Sequence, residues 1–100
     1  LNARLYYNIG HYKASILALR NSLTEYPETR HREEMKYILL RSCYELADKS
    51  VPEKRKERFQ DTLDEYFSFI DEFPASKYRK DAEKMYQSTL KVLGNNVENN

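Results

Sequence analysis

The chain has 100 residues, which is enough for one small domain. Hydrophobic residues make up 40% of it and charged residues 33%, and the low counts of Gly 2 and Pro 3 favour helices over sheets. The 17 basic and 16 acidic residues nearly cancel, which gives no electrostatic case for nucleic-acid binding, and no apolar run approaches the roughly 20 residues of a membrane-spanning helix.

Two helices are predicted before the first aromatic-proline pair. Residues 1–9 have the character of the end of a helix, and Gly10 stops it. A second helix occupies residues 12–26, and Pro27 ends it because the residue before a proline avoids the helical conformation. The apolar stripe of this helix consists of Tyr12, Ile16, Leu19, Leu23 and Tyr26. Thr29 is placed to cap the next helix.

The third helix is predicted from a stripe that runs to about Lys49. Its members are Met35, Ile38, Leu39, Cys43, Leu46 and Ala47. Cys43 is the single cysteine, so it has no internal disulfide partner, and we expect it to be buried as a small apolar group. A break at "KSVP" follows, and Pro52 suits the start of a fourth helix, where its missing N–H is not needed.

The fourth and fifth helices complete the chain. The fourth has the stripe Phe59, Leu63, Tyr66, Phe67, Ile70 and Phe73, and Pro74 ends it. Ser76 is placed to cap the fifth helix, whose stripe consists of Ala82, Met85, Tyr86, Thr89, Leu90 and Leu93. Gly94 is expected to stop this helix and to leave a flexible polar tail over residues 95–100.

These helices repeat at fixed shifts. A shift of 47 places Tyr26-Pro27 on Phe73-Pro74, and it brings Thr29 onto Ser76 and Glu34 onto Asp81. A shift of 37 places Arg4 on Arg41 and Tyr7 on Tyr44. The difference of ten residues indicates an insertion around Asp48–Glu57, between the two helices of the middle unit.

The repetition predicts an all-α fold, namely a tetratricopeptide-like helical-repeat solenoid of antiparallel helix pairs that form an α-α superhelix. Within residues 1–94, we expect a partial first unit (1–27), an enlarged second unit (29–74), and a last helix (76–93) that either opens a third unit or caps the stack. A plain four-helix bundle is the alternative, but it does not predict two aligned proline boundaries. Because the chain begins at Leu1 in helical sequence, we expect it to be a fragment of a longer protein.

Two stretches resemble one family. "LTEYPETRHREEMKYILLRSCYELA" and "YFSFIDEFPASKYRKDAEKMY" are similar to the outer-membrane β-barrel assembly lipoprotein family BamD, also called YfiO. The elements that carry the resemblance are Phe73-Pro74-x-Ser76-x-Tyr78 and then Asp81-Ala82-Glu83. The resemblance extends to about Gly94, and the Tyr- and Lys-rich style suggests a Bacteroidetes-type member. The second helix also resembles the second-helix signature of tetratricopeptide repeats, with Ser15 where a small residue marks the helix crossing.

The family resemblance implies a function. Members are non-catalytic scaffolds that an N-terminal lipid tethers to the periplasmic face of the outer membrane. They bind the POTRA domains of the barrel-assembly subunit and help to deliver unfolded outer-membrane proteins. The lipid-bearing cysteine would lie upstream of this fragment, and Cys43 does not fit that role. The alternatives are another helical-repeat adaptor of the cell envelope or a regulatory repeat module of a larger cytoplasmic protein.

A candidate binding surface follows from the repeat, because the first helix of each pair lines the concave side of such a stack. Its tyrosines and charged groups suit an extended peptide, since Arg pairs with carboxylates and Tyr supplies contact area at low entropic cost. The candidates are Arg4, Tyr7, Glu34, Tyr37, Arg41, Tyr44, Glu45, Lys84 and Lys91, and the same face of the last helix also carries Asp81. The alternative is that the tyrosines pack between helices and the charges form a solvated face.

Little in the sequence indicates catalysis. Its two histidines, His11 and His31, have no metal-ligand spacing, and the adjacent carboxylates Glu33 and Glu34 point to different sides of a helix. We therefore predict no enzyme activity, no metal and no cofactor. The basic run "PEKRKER" over residues 52–58 is either a solvated helix start or a docking site for a partner.

Overall fold

The structure, a computed structural model, describes residues 2–98, with side chains as far as Gly94. Within this range it contains five helices and no strand. They are α1 (Asn2–Asn8), α2 (Tyr12–Glu25), α3 (Arg32–Asp48), α4 (Pro52–Glu72) and α5 (Arg79–Glu98). The predicted all-α helical-repeat fold is confirmed. None of the described helices is both long enough and apolar enough to cross a membrane.

The helices form two layers. Each packs against the next in the chain, and α3 also contacts α1 and α5. One layer therefore contains α1, α3 and α5, and the other contains α2 and α4. Among the described residues, α2 and α4 both pack on α3 but not closely on each other. This arrangement leaves α3 at the centre of the molecule.

The core consists of three connected clusters of buried side chains. The first joins α1, α2 and α3 and contains Ala3, Ile16, Leu19, Met35, Ile38, Leu39 and Cys43. The second joins α3, α4 and α5 through Leu40, Tyr66, Phe69, Ala82 and Met85, and the third consists of Ala47, Phe59 and Leu93. Cys43 is buried, as the sequence predicts. At the crossing of α2 and α3, the buried hydroxyls of Ser15 and Ser42 share a hydrogen bond of 2.8 Å.

Three predicted stripe residues are exposed to solvent. Phe67 is 51% exposed and Leu90 is 39% exposed, whereas the unpredicted Phe69 is fully buried. Phe69 continues the inward series of α4 residues 59, 62 and 66, so Phe67 points elsewhere. Tyr26 is also exposed, unlike its counterpart Phe73.

The difference between Tyr26 and Phe73 has a local cause. Phe73 packs against the ring of Phe69, with ring centroids 5.8 Å apart. The shift of 47 places Ser22 where Phe69 would be needed beside Tyr26, and serine is too small to support the tyrosine ring.

The two aromatic-proline junctions have the same backbone structure. The N–H of Tyr26 donates to the carbonyl of Ser22 at 2.8 Å, and the N–H of Phe73 donates to that of Phe69 at 2.8 Å. The predicted N-caps are displaced, because α3 and α5 begin three residues after Thr29 and Ser76. Each hydroxyl instead accepts the N–H two residues ahead and stabilises the turn that leads into the helix.

The ten extra residues of the middle hairpin lengthen its helices instead of its turn. Under the shift of 37, the end of α1 at Asn8 aligns with Glu45, and α3 continues to Asp48. Under the shift of 47, the start of α2 at Tyr12 aligns with Phe59, whereas α4 already begins at Pro52. Pro52 occupies the first turn of α4, as predicted.

The last helix is longer than the sequence predicts. Gly94 does not stop α5, which continues to Glu98. Among the described glycines only Gly10, with φ 82, has the left-handed conformation that a glycine stop requires. The predicted helix stop at Gly94 is therefore wrong, and the flexibility of the tail stays a prediction; Asn99 and Asn100 lie outside the described residues.

Candidate functional site

Arg41 is the centre of the predicted binding surface. Its Nε donates to the hydroxyl of Tyr7 at 2.8 Å, and its Nη1 donates to Oδ2 of Asp81 at 2.8 Å. Its Nη2 donates to Oε1 of Glu45, one turn further along α3, at 3.3 Å. One guanidinium group thus links α1, α3 and α5. We call the surface that these three helices form the odd-helix face.

The ion pair of Arg41 has an equivalent one step earlier in the stack. Nη2 of Arg4 on α1 lies 2.5 Å from Oε1 of Glu34 on α3. The two sequence shifts place Arg4 on Arg41 and Glu34 on Asp81, so the same pair joins α1 to α3 and α3 to α5. We call these four residues the Arg–acid ladder.

Tyr37 adds a second donor to Asp81. Its hydroxyl donates to Oδ2 of Asp81, and its ring stacks on Tyr78 with centroids 4.1 Å apart and planes 6° apart. Partial burial and the Asp81 carboxylate raise the pKa of Tyr37 to about 12. The tyrosine therefore stays protonated and keeps donating to Asp81 at neutral pH.

Arg41 and Asp81 stabilise each other's ionised form. Burial acts to raise the pKa of Asp81, but the hydrogen bonds from Tyr37 and Arg41 lower it overall. Burial acts to lower the pKa of Arg41, but its hydrogen bonds to Asp81 and Tyr7 raise it overall. Both groups are consequently ionised at neutral pH, and the ion pair joins α3 to α5 while the Tyr7 hydroxyl links α1 to the same guanidinium.

The other predicted residues are less closely joined. Tyr44 is partly buried and packs edge-on against Phe59, with centroids 5.9 Å apart, so its ring belongs to the core between α3 and α4. Glu45 also accepts from Lys49. Lys84 and Lys91 are exposed on α5 and lie outside the hydrogen-bond network described above. Arg4 and Glu34 are the accessible end of the ladder.

Asp81 and Tyr78 complete this network, and only Tyr78 is missing from the predicted face. Asp81 accepts from both Arg41 and Tyr37, and the alignment of Glu34 with Asp81 is the signal that identifies it. Tyr78 stacks on Tyr37, although it precedes the first residue of α5. Its role depends on how the second aromatic-proline junction folds over α3, which a linear pattern does not contain.

The other residues with possible chemical roles are Cys43, the potential metal ligands and the basic run at residues 52–58. Burial raises the pKa of the Cys43 thiol to about 12, so it is protonated and poorly nucleophilic at neutral pH. Within residues 2–98, no group of histidine, cysteine or acidic side chains has the arrangement of a metal site. In the basic run, Arg55 donates to the carbonyl of Asp48 and Arg58 to the hydroxyl of Ser50, each at 2.7 Å.

Two layers of antiparallel helices, repeated junctions and a repeated ion pair define a helical-repeat protein of the tetratricopeptide-like class. Comparison with known families identifies the family within this class. The family model YfiO, described as outer membrane lipoprotein, matches residues 2–96. The chain belongs to this family. A search of curated proteins gives no match.

Proposed function

We propose that this chain is part of a non-catalytic scaffold in the machinery that assembles outer-membrane proteins. Membership of an outer membrane lipoprotein family supports a role in the cell envelope. The scaffold would be held at the periplasmic face of the outer membrane by a lipid anchor. Its partners would be the POTRA domains of the barrel-assembly subunit, unfolded segments of outer-membrane proteins, or both.

The Arg–acid ladder is the observation that carries this proposal. Its central arginine, Arg41, contacts Tyr7 on α1 and Asp81 on α5, so contacts within the chain support the odd-helix face, which would lower the conformational entropy cost of binding a partner. Arg4 and Glu34 remain accessible at one end of this face, and Lys84 and Lys91 at the other. Tyr7 and Tyr37 supply aromatic surface between these ends.

The bound partner decides between this proposal and a different envelope adaptor. The full-length protein, purified from envelope membranes under mild detergent, is expected to retain the barrel-assembly subunit. Recovery of other envelope proteins without that subunit would overturn the assembly role and support the adaptor alternative. Family membership gives no support to the alternative of a cytoplasmic regulatory module.

A further inference from the structure

A second surface lies in the other layer of the molecule. Since α2 and α4 both pack on α3 but not closely on each other, a cavity of about 310 Å³ remains between them. Its floor is apolar and includes Ile16 and the α3 residues Cys43 and Leu46. Leu17, on its α2 side, is 64% exposed, so a large apolar side chain is accessible at the edge of the cavity. We call this cavity the outer groove.

The sides of the outer groove are mainly basic. Lys13 and Arg20 line it from α2, and Lys54 and Arg58 from the N-terminal extension of α4. Arg20 is engaged by Glu65 at 3.3 Å, and the carboxylates Glu57 and Asp61 also line the groove. Lys13 and Lys54 are exposed on opposite sides and make no ion pair among the described residues.

The distribution of charge along α4 does not favour the helix itself. Its first seven residues contain four basic side chains and two acidic ones, Glu53 and Glu57, whereas Asp61–Glu72 contains acidic residues and no basic one. A helix dipole prefers acidic groups at the N-terminus and basic groups at the C-terminus, each worth about 0.3–1 kcal/mol. Contacts within the chain account for Arg55 and Arg58, which donate to Asp48 and Ser50. Neither the dipole nor a contact among the described residues accounts for Lys54 and Lys56, whereas an anionic partner beside them would.

We propose that the outer groove binds an amphipathic helical segment of a partner protein. Its apolar side chains would enter between α2 and α4, and its acidic residues would meet Lys13, Lys54 and Arg58. The cavity is at the lower end of the range of about 300–1,000 Å³ for binding pockets, so it accepts a few anchoring side chains and leaves the rest of the segment on the surface. Lys13, Ile16, Leu17 and Arg20 follow helical spacing along one side, so the groove runs along α2.

Two synthetic peptides test the chemistry of the groove. Both are fluorescein-labelled helical peptides of about 14 residues with the same leucine stripe, and they differ only in flanking Glu or flanking Lys residues. We expect saturable binding of the Glu peptide, and binding of the Lys peptide at least about tenfold weaker, by fluorescence anisotropy at low salt. Equal binding of the two peptides, or no saturable binding of the Glu peptide, would overturn the proposal.

A matched pair of variants tests the location. Lys54→Glu and Lys56→Glu make the same charge change on exposed positions of the same helix, but only Lys54 lines the groove. We expect Lys54→Glu to weaken binding of the Glu peptide by about tenfold. Lys56→Glu is expected to weaken it by less than about twofold, because exposed charges away from the contact are screened. Equal losses would mean unspecific attraction to the basic run, and the groove assignment would be wrong.

A second copy of the chain is the competing occupant. Analytical ultracentrifugation at rising protein concentration would detect such a dimer, and Leu17→Asp would abolish it. That result would overturn the proposal of a partner helix and assign the outer groove to self-association. Leu17 is exposed, so this substitution is expected to leave the helical circular dichroism unchanged. Purified protein and synthetic peptides suffice for these tests, so their outcome is independent of whether the barrel-assembly subunit is the partner of the odd-helix face.

Discussion

Arg4 and Arg41 occupy equivalent positions in successive helices, but their surroundings differ. The Arg4 side chain is 47% exposed and forms an ion pair with Glu34. The Arg41 side chain is 28% exposed and donates to Tyr7, Glu45 and Asp81. An exposed ion pair contributes little to stability, whereas removal of one member of a partly buried network leaves its partners without hydrogen bonds.

A pair of substitutions measures this difference. Arg41→Met is expected to lower the free energy of unfolding by about 1–3 kcal/mol, since it removes the ion pair of Asp81, which keeps only the Tyr37 hydroxyl as a donor, and leaves the hydroxyl of Tyr7 without its donor. Arg4→Met is expected to lower it by less than about 1 kcal/mol, because its ion pair is exposed to solvent. Urea denaturation followed by circular dichroism checks both values. Equal losses would contradict the central position of Arg41.

The raised pKa of Tyr37 predicts an alkaline pH dependence. The pKa of its phenol rises from 10.0 to about 12 in the folded protein, so its contribution to stability is complete below pH 10 and is lost as the pH rises towards 12. Tyr37→Phe keeps the ring and loses only the hydroxyl. We expect it to be about 1 kcal/mol less stable than the wild type at pH 7, with the difference shrinking above pH 10. A difference that stays constant to pH 12 would contradict this assignment.

At the scale of the residue, the sequence identifies equivalent positions in successive helices but does not identify their ion-pair partners. The shift of 37 identifies Arg4 and Arg41 as equivalent, and the shift of 47 relates Glu34 to Asp81. Neither shift states that each arginine reaches the acidic residue of the following odd helix. That pairing depends on how closely α3 lies beside α1 and α5, which is a property of the packed stack.

At the scale of the element, α4 shows how a stripe can be misassigned by a small rotation. Phe67 and Phe69 both lie near the predicted apolar side of α4. Both reach α5, but only Phe69 also packs against α3, where it contacts the ring of Tyr37. Phe67 touches the ring of Tyr86 at the edge of the interface, with centroids 5.6 Å apart. Phe69 is fully enclosed by α3, α4 and α5.

Alanine substitution distinguishes the two phenylalanines. Phe69→Ala is expected to cost about 3–5 kcal/mol, because it opens a cavity in the second core cluster. Phe67→Ala is expected to cost less than about 1.5 kcal/mol, since half of its surface is already in contact with water. Thermal and urea unfolding give both values. A larger loss of stability for Phe67→Ala than for Phe69→Ala would contradict this assignment and support the apolar stripe that the sequence predicts.

Helix boundaries are predicted well at the prolines, and less well at Gly94, where a helix end was expected. Pro27 and Pro74 are followed by matching turns, and Pro52 begins α4, since proline constrains the backbone irrespective of its neighbours. Gly94 permits a stop but does not impose one, and α5 continues through it. The extended α3 and α4 could not be placed from the alignment alone, which gives the size of the insertion but not its conformation.

At the scale of the whole molecule, we propose that α5 caps the stack instead of opening a third unit. The α3 residues that pack towards α4 include Tyr37, Leu40, Tyr44 and Ala47. The shift of 47 replaces these residues with Lys84, Gln87, Lys91 and Gly94 on α5. A polar outer face is what a terminal helix of a repeat stack requires. The division into a first unit at residues 1–27 and a second unit at residues 29–74 remains part of this proposal.

The central claim is that the odd-helix face binds the barrel-assembly subunit, and calorimetric titration with purified POTRA domains tests it most directly. We expect saturable binding to the wild type and to Lys56→Glu, and binding weakened by about tenfold in Lys84→Glu, which reverses an exposed charge on that face. Failure of the wild type to bind, or equal affinity of Lys84→Glu and Lys56→Glu, would contradict the claim.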